Sequence, residues 1–257
     1  MPYLLDDLDA VRKLLTLSPF GVITDIDGTI TAADDSFSLI ALEAVHRLEE
    51  QGIVVGLASG RTLPRVESLA RDLGIKGPII AENGGVAKLK TNGELVDLGY
   101  SHYPAIRALE KLKRLFPHAV EETEDDRYRL VDVGIKTDEV ETAELRRHLE
   151  DTEVDLLDSG FMLHLLPKEV SKGRTLLRLL GEIGGGDLSP QEVIVFGDSP
   201  TDVSLFQLFP HSVLIINPGI PVQETQALAE MTEYVSDLPF GEGFAQVAFY
   251  ILATRRG

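Results

Sequence analysis

The stretch Gly21-Val-Ile-Thr-Asp25-Ile-Asp27-Gly28-Thr29 passes abruptly from a β-branched apolar run into two acids and a glycine. A run this short and this rich in Val, Ile and Thr reads as a buried strand. The same pattern recurs along the chain. Ile53-Val-Val-Gly-Leu-Ala58 ends in Ser59-Gly60-Arg61, and Pro78-Ile-Ile-Ala81 ends in Glu82-Asn83-Gly84-Gly85. Val193-Ile-Val-Phe196 ends in Gly197-Asp198, and Val213-Leu-Ile-Ile216 in Asn217-Pro218-Gly219. Between these runs lie helical stripes: Leu39, Leu42, Val45 and Leu48 before Gly52, Leu63–Leu73 before Gly74, and Val170–Ile183. A further stripe, Leu8, Val11, Leu14, Leu15 and Leu17, precedes them all. Strands apolar at every position, alternating with amphipathic helices, predict a parallel sheet covered on both faces. The expected fold class is α/β, with a Rossmann-like parallel sheet core.

The middle of the chain reads differently. Its candidate strands (Arg129–Ile135, Val154–Leu157, Phe161–Leu165) and helices (Ala105–Phe116, Glu139–Leu149) are more charged and more alternating. Acids crowd into Glu121-Glu-Thr-Glu-Asp-Asp126. This predicts an inserted α+β cap domain over residues 84–166, between core segments 1–83 and 167–257. The Gly184-Gly-Gly186 triplet is read as a helix stop and loop.

The 257 residues carry 42 acids against 24 bases, a net charge of −18. That balance excludes the basic stripe nucleic-acid binding needs, so no nucleic-acid partner is expected. With no cysteine, disulfides, thiolate zinc sites and cysteine nucleophiles drop out. The first residues carry three acids by position 9 and no basic segment, unlike a secretory leader. The apolar run near Phe244–Ala253 is too short for a bilayer, so no membrane association and a cytoplasmic location are expected.

Four polar clusters, Asp25–Thr29, Ser59–Arg61, Glu82–Gly85 and Gly197–Asp202, follow apolar runs. In an open α/β sheet, ligands bind outside the carboxyl ends of the strands, so neighbouring parallel strands would bring these clusters together. Asp25 and Asp27, at i and i+2 on extended chain, point to one side and repel unless a cation or proton is shared. A carboxylate is ionised at neutral pH and attacks without a base. Asp198 and Asp202, four apart at a helix start, suit a hard cation such as Mg²⁺, although Asp there also serves as a plain cap. Ser59-Gly60-Arg61 offers a hydroxyl and N–H groups at a helix start, a natural phosphate cradle, while a Ser cap is the plainer alternative. Lys172 sits in a helix first turn, where the dipole disfavours a cation, though from position alone a solvated surface lysine is the plainer reading, with Lys168 and Arg174 close by. The six histidines show no zinc-ligand spacing, and no P-loop motif is present.

Asp25-x-Asp27-Gly28-Thr29, Ser59-Gly60-Arg61, Lys172 and Gly197-Asp198-x-x-x-Asp202 resemble, in order and position, the four motifs of the haloacid dehalogenase superfamily. The insertion between Asn83 and Lys172 resembles the C2-type cap of the Cof-type phosphatases, subclass IIB. The resemblance implies a phosphoric monoester hydrolase acting on a small phosphorylated metabolite, a sugar phosphate or phosphoglycolate-like ester. By it, Asp25 attacks phosphorus to give an aspartyl-phosphate, and Asp27 acts as acid and then base. Ser59 and Lys172 hold phosphoryl oxygens. Asp25, the Asp27 backbone carbonyl, Asp198 and Asp202 bind Mg²⁺. Asn83, Gly60 and Arg61 are implied substrate contacts. One departure stands out: the last motif usually reads GDxxND, and here Thr201 replaces the Asn, which implies weaker Mg²⁺ binding or slower turnover. The cap offers Arg127, Arg129, Lys136 and His164 as specificity candidates without a decisive pattern. A phosphotransferase or mutase, or a non-catalytic metabolite-binding protein, remain the alternatives on this scaffold.

Overall fold

The computed structural model describes residues 3–5, 8–14, 16–17, 19–183 and 188–254. The chain runs from β1 (Tyr3–Leu4) and α1 (Leu8–Leu14) into β2 (Gly21–Thr24), α2 (Leu39–Glu50), β3 (Val54–Ala58) and α3 (Leu63–Asp72). β4 (Ile79–Ala81) and β5 (Val86–Lys88) follow, then α4 (Tyr103–Leu115), β6 (Glu121–Glu122), β7 (Val133–Lys136) and α5 (Thr142–Leu149). Next come β8 (Val154–Asp158), β9 (Leu163–Pro167), α6 (Lys172–Leu180), β10 (Val193–Gly197) and α7 (Val203–Leu208). β11 (His211–Ile216), α8 (Val222–Ala229), β12 (Tyr234–Pro239) and α9 (Phe240–Thr254) complete it. Leu15 of the opening stripe and the Gly184–Gly186 triplet lie outside the described residues.

β2 is buried at all four positions because both its faces are covered. Val22 joins the layer built with Val45 and Leu48 of α2, Val66 of α3 and Phe244 of α9. Its neighbour Ile23 faces the opposite layer, with Leu176 of α6 and Leu205 of α7. This alternation across one strand makes the fully apolar run necessary. The large sheet has the order β1-β12-β11-β10-β2-β3-β4-β5, parallel throughout except for the β4–β5 pair. Strand order reverses between β2 and β10, which pair from Val193↔Gly21 to Phe196↔Thr24. That reversal opens a crevice at the carboxyl ends of these two strands, where Asp25 and Asp198 emerge.

Within the span expected as cap from residue 84, β5 pairs with a strand of the large sheet. Val86 and Ala87 are buried, and β5 folds back antiparallel on β4, so it extends the large sheet. The second sheet, β6-β7-β9-β8, is antiparallel. It buries Val133, Ile135 and Leu165 against Ala108 and Leu112 of α4 and Leu145 of α5. The strand expected over Arg129–Ile135 begins only at Val133, because the backbone N–H groups of Leu130, Val131 and Asp132 bind the Glu82 carboxylate instead. Among the described residues, no helix is long and apolar enough to cross a membrane.

Candidate active site

Asp25 stands one residue past β2, its N–H donating to the Phe196 carbonyl of β10 at 3.0 Å. It is 5% exposed. Lys172, the first residue of α6, points its ammonium back across the sheet. Nζ donates to Asp25 Oδ1 (2.9 Å), Asp202 Oδ1 (2.7 Å) and Thr201 Oγ1 (3.2 Å). Ser171 caps the helix by accepting from the Arg174 N–H, so Lys172 takes its position on a well-started helix. Burial opposes the Lys172 charge, but the carboxylates of Asp202 and Asp25 outweigh it and keep the group firmly protonated.

Asp198 follows β10 and is held from two sides. Thr29 donates its hydroxyl to Oδ1 (2.8 Å) and Asn217 its amide to Oδ2 (2.7 Å). Burial, then the Asp202 charge, push the Asp198 carboxyl up to about 7. Burial also lifts Asp25 well above the usual carboxylate range, with Lys172 opposing. Asp202 Oδ2 accepts from the N–H groups of Asp198 (3.1 Å) and Ser199 (3.2 Å), which shapes the loop after β10. Gly28 adopts φ +77°, and a Cβ there would run into the Asp198 carboxylate and sit 2.7 Å from the Asn217 amide. Only glycine lets the chain turn this close to its neighbour.

Asp25, Asp198 and Asp202 offer oxygens within 4.8 Å of one another, all three residues buried. Three carboxylates against the single ammonium that touches two of them leave negative charge uncompensated at low dielectric. An all-oxygen donor set fits a hard divalent cation. The side chain of Asp27 is engaged elsewhere: Arg61 grips it in a fork, Nε to Oδ2 at 2.9 Å and Nη2 to Oδ1 at 2.5 Å.

A cavity of about 550 Å³ brings the expected residues Asp25, Asp27, Ser59, Gly60, Arg61, Asn83, Lys172 and Asp198 to one surface. Asp202 lies behind them, fully buried against Lys172. Ser59 hydrogen-bonds β4 through its N–H, and its Oγ accepts from the Arg61 N–H at 3.1 Å. Asn83 sits in the left-handed region (φ 54°), and both its amide atoms are buried without a protein partner. An orphaned amide lining a cavity beside Ser59 is a donor and acceptor held ready for a ligand. Of the cap candidates, Arg129 and His164 reach the cavity, while Arg127 and Lys136 are exposed elsewhere.

Sequence reasoning missed Asn217 and Glu82. Asn217 ends an apolar run as the four clusters do, and that recurrence was its available signal. Glu82 is fully buried, and its carboxylate accepts from Leu130 N–H (2.9 Å), Val131 N–H (2.8 Å) and Asp132 N–H (3.3 Å). Burial and the nearby Asp132 charge raise it to about 7 despite these bonds. Nothing in its local sequence distinguishes this clasp from a loop acid.

A family profile described as haloacid dehalogenase-like hydrolase matches residues 22–128 and 100–224. A phosphoglycolate phosphatase of Methanoculleus marisnigri is 33% identical over 229 residues, 88% of this chain and 93% of that protein. One from Methanopyrus kandleri is 32% identical over 234 residues, 87% of this chain and 93% of that protein. A solved structure from Thermoplasma acidophilum superposes with a TM-score of 0.78 at 27% identity, covering 90% of this chain and 97% of that one. The sucrose-phosphatase of Synechocystis, solved with sucrose and phosphate, shares the fold at a TM-score of 0.69 and 17% identity, covering 89% and 97%.

Proposed function

The chain belongs to the haloacid dehalogenase-like hydrolases, and on that premise we propose a Mg²⁺-dependent phosphatase that hydrolyses a small phosphorylated metabolite through an aspartyl-phosphate on Asp25. The metabolite is a sugar phosphate or a phosphoglycolate-like ester, and the activity belongs to the cytoplasm. The observation that carries the reading is the convergence of Asp25, Lys172, Asp198 and Asp202 beside the Ser59 and Asn83 side chains.

Lys172 holds Asp25 Oδ1, which leaves Oδ2 to attack phosphorus. As the Oδ2–P bond forms, the P–O bond to the alcohol breaks, and Asp27 delivers a proton to the departing oxygen. Ionised again, Asp27 takes a proton from the water that attacks the phosphoryl group and frees Asp25 with inorganic phosphate. Two displacements replace one difficult attack of water on an anion. Because Arg61 grips both oxygens of Asp27, productive binding requires Arg61 to exchange that carboxylate for an oxygen of the substrate. The Ser59 hydroxyl, the Asn83 amide and the Lys172 ammonium steady the equatorial oxygens, where charge accumulates in the transition state. Asp25, Asp198, Asp202 and the Asp27 carbonyl would hold Mg²⁺, which would supply further compensation of phosphoryl charge. Thr201 stands where the family usually has Asn, yet its hydroxyl accepts from Lys172, so the lysine keeps its third partner. Residues 101–167, with the Ser159–Met162 turn at the cavity, act as the cap that selects substrate and excludes water.

Asp25→Asn tests the reading directly. It is expected to abolish hydrolysis of p-nitrophenyl phosphate with the fold intact by circular dichroism, and EDTA should stop the wild type until Mg²⁺ is restored. Activity that persists in either case sinks the mechanism.

A further inference from the structure

Arg129 is a cap side chain that reaches the loop carrying Ser59. It is 4% exposed. Nη1 donates to Asp132 Oδ1 at 2.5 Å and to the Gly60 carbonyl at 3.2 Å, which fixes the guanidinium plane. Asp132 is fully buried, and its other oxygen lies 2.8 Å from His164 Nδ1. The backbone around Asp132 is held in turn by Glu82. His164 and Arg129 outweigh burial and keep Asp132 below the usual carboxylate range.

The other edge of the guanidinium is poorly served. The acceptor of Nη2 is the thioether sulfur of Met162 at 3.6 Å, a weak one. Nε is ion-paired with Asp126 Oδ1 at 3.2 Å but makes no hydrogen bond. Asp126 is already tied down, accepting from the N–H groups of Gly134 (2.7 Å) and Thr123 (2.9 Å). Arg129 and Met162 line the same cavity as Asp25, Ser59 and Lys172. A guanidinium cannot shed its charge, and buried donors without a good acceptor are costly. An anionic oxygen arriving from the cavity gives Nη2 the acceptor it lacks, and a carboxylate supplies one as a charge-assisted bond.

We propose that Arg129 determines specificity by receiving a carboxylate at the unreacting end of the substrate. This rests on the phosphatase reading above, with the phosphoryl group at Asp25 and Lys172. The substrate is then a small phosphorylated hydroxy acid, not a neutral sugar phosphate. Met162, unbranched and flexible, yields its place to the incoming oxygen.

Two esters separate the possibilities, 2-phosphoglycolate and ethyl phosphate, which share a skeleton and differ in the carboxylate. Arg129→Met is expected to lower kcat/KM for 2-phosphoglycolate roughly 30- to 100-fold more than for ethyl phosphate. Arg129→Lys keeps the charge without the fork and should lose part of that preference; it decides the question if Arg129→Met fails to fold. Equal losses on both esters, or a preference that survives both variants, overturn the proposal. Calorimetric binding of both esters to Asp25→Asn protein, with and without the Arg129 change, reads the subsite without turnover. Carboxylate-selective binding that Arg129→Met removes, in a protein whose wild type hydrolyses neither ester, sustains the subsite and fails the phosphatase reading. Equal binding of both esters overturns the subsite alone.

Discussion

Replacing Asp198 by Asn is expected to stabilise the metal-free protein above neutral pH while removing its response to Mg²⁺. In the folded chain, burial and the Asp202 charge raise Asp198 from 3.8 to about 7. Between those values the native state keeps a proton that the unfolded chain has lost. Stability is therefore fully present below about pH 4 and drains away as pH rises to about 7. At about 1.36 kcal/mol per tenfold change, the loss has a ceiling of roughly 4 kcal/mol, and relaxation around the site brings it to about 2–4 kcal/mol. An Asn at this position keeps both neighbours, its carbonyl accepting from Asn217 and its amide donating to Thr29, and does not titrate. Urea unfolding followed by circular dichroism in EDTA, from about pH 4 to about pH 8, measures the difference between the two proteins. That difference should start near zero and grow to about 2–4 kcal/mol in favour of the variant. Adding Mg²⁺ to about a hundredfold above its Kd should return roughly 2.7 kcal/mol to the wild type and far less to the variant. A difference independent of pH, or a variant less stable than wild type at high pH without metal, refutes the charge argument.

Gly28→Ala places a methyl against the Asp198 carboxylate at a positive φ. It is expected to cost about a hundredfold in kcat and to weaken Mg²⁺ binding, as read by Mg²⁺ titration of steady-state rates. Glu82→Ala leaves the N–H groups of Leu130, Val131 and Asp132 without their acceptor. Stability should fall by about 2–4 kcal/mol, and hydrogen exchange should quicken at these three amides before it does in β7. Thr201→Val takes one acceptor from Lys172 and one of the two partners of Ser199 Oγ. A roughly tenfold loss of kcat is expected, with Thr201→Asn recovering most of it.

The central strands β2, β3, β4 and β10 were legible because, Thr24 apart, they carry no polar position, and each ends in a visible cluster. Their convergence followed from topology: once β10, β2, β3 and β4 are neighbours, the loops after them meet. Lys172 was harder, since a lysine in a first helical turn is ordinary until its carboxylate partners are known. The cap was less legible for a physical reason. β6 is exposed and β8 mixes buried and exposed positions, so the apolar signal is broken, and Leu130–Asp132 give their backbone N–H groups to Glu82, about fifty residues earlier in sequence. β5 escaped notice because the Gly84-Gly85 pair reads as a loop, whereas Gly84 (φ +111°) serves the turn that folds β5 onto β4.

The pairing of β2 with β10 has a consequence for how the chain is made. A ribosome delivers residues at about 5–20 per second, so β2 emerges many seconds before the strand that will flank it. Until residue 197 is out, β2 to β5 form a four-stranded fragment with an open hydrophobic edge along β2, a surface prone to wrong pairing. The antiparallel sheet of β6 to β9 suffers no such delay, since its strands and both covering helices are contiguous in sequence. It can condense first and stand beside the waiting fragment, joined through Glu82. Assembly is thus expected to run from the middle of the gene product outward. Chains truncated before Asp198 should then contain a protected small sheet and an aggregation-prone remnant of the large one.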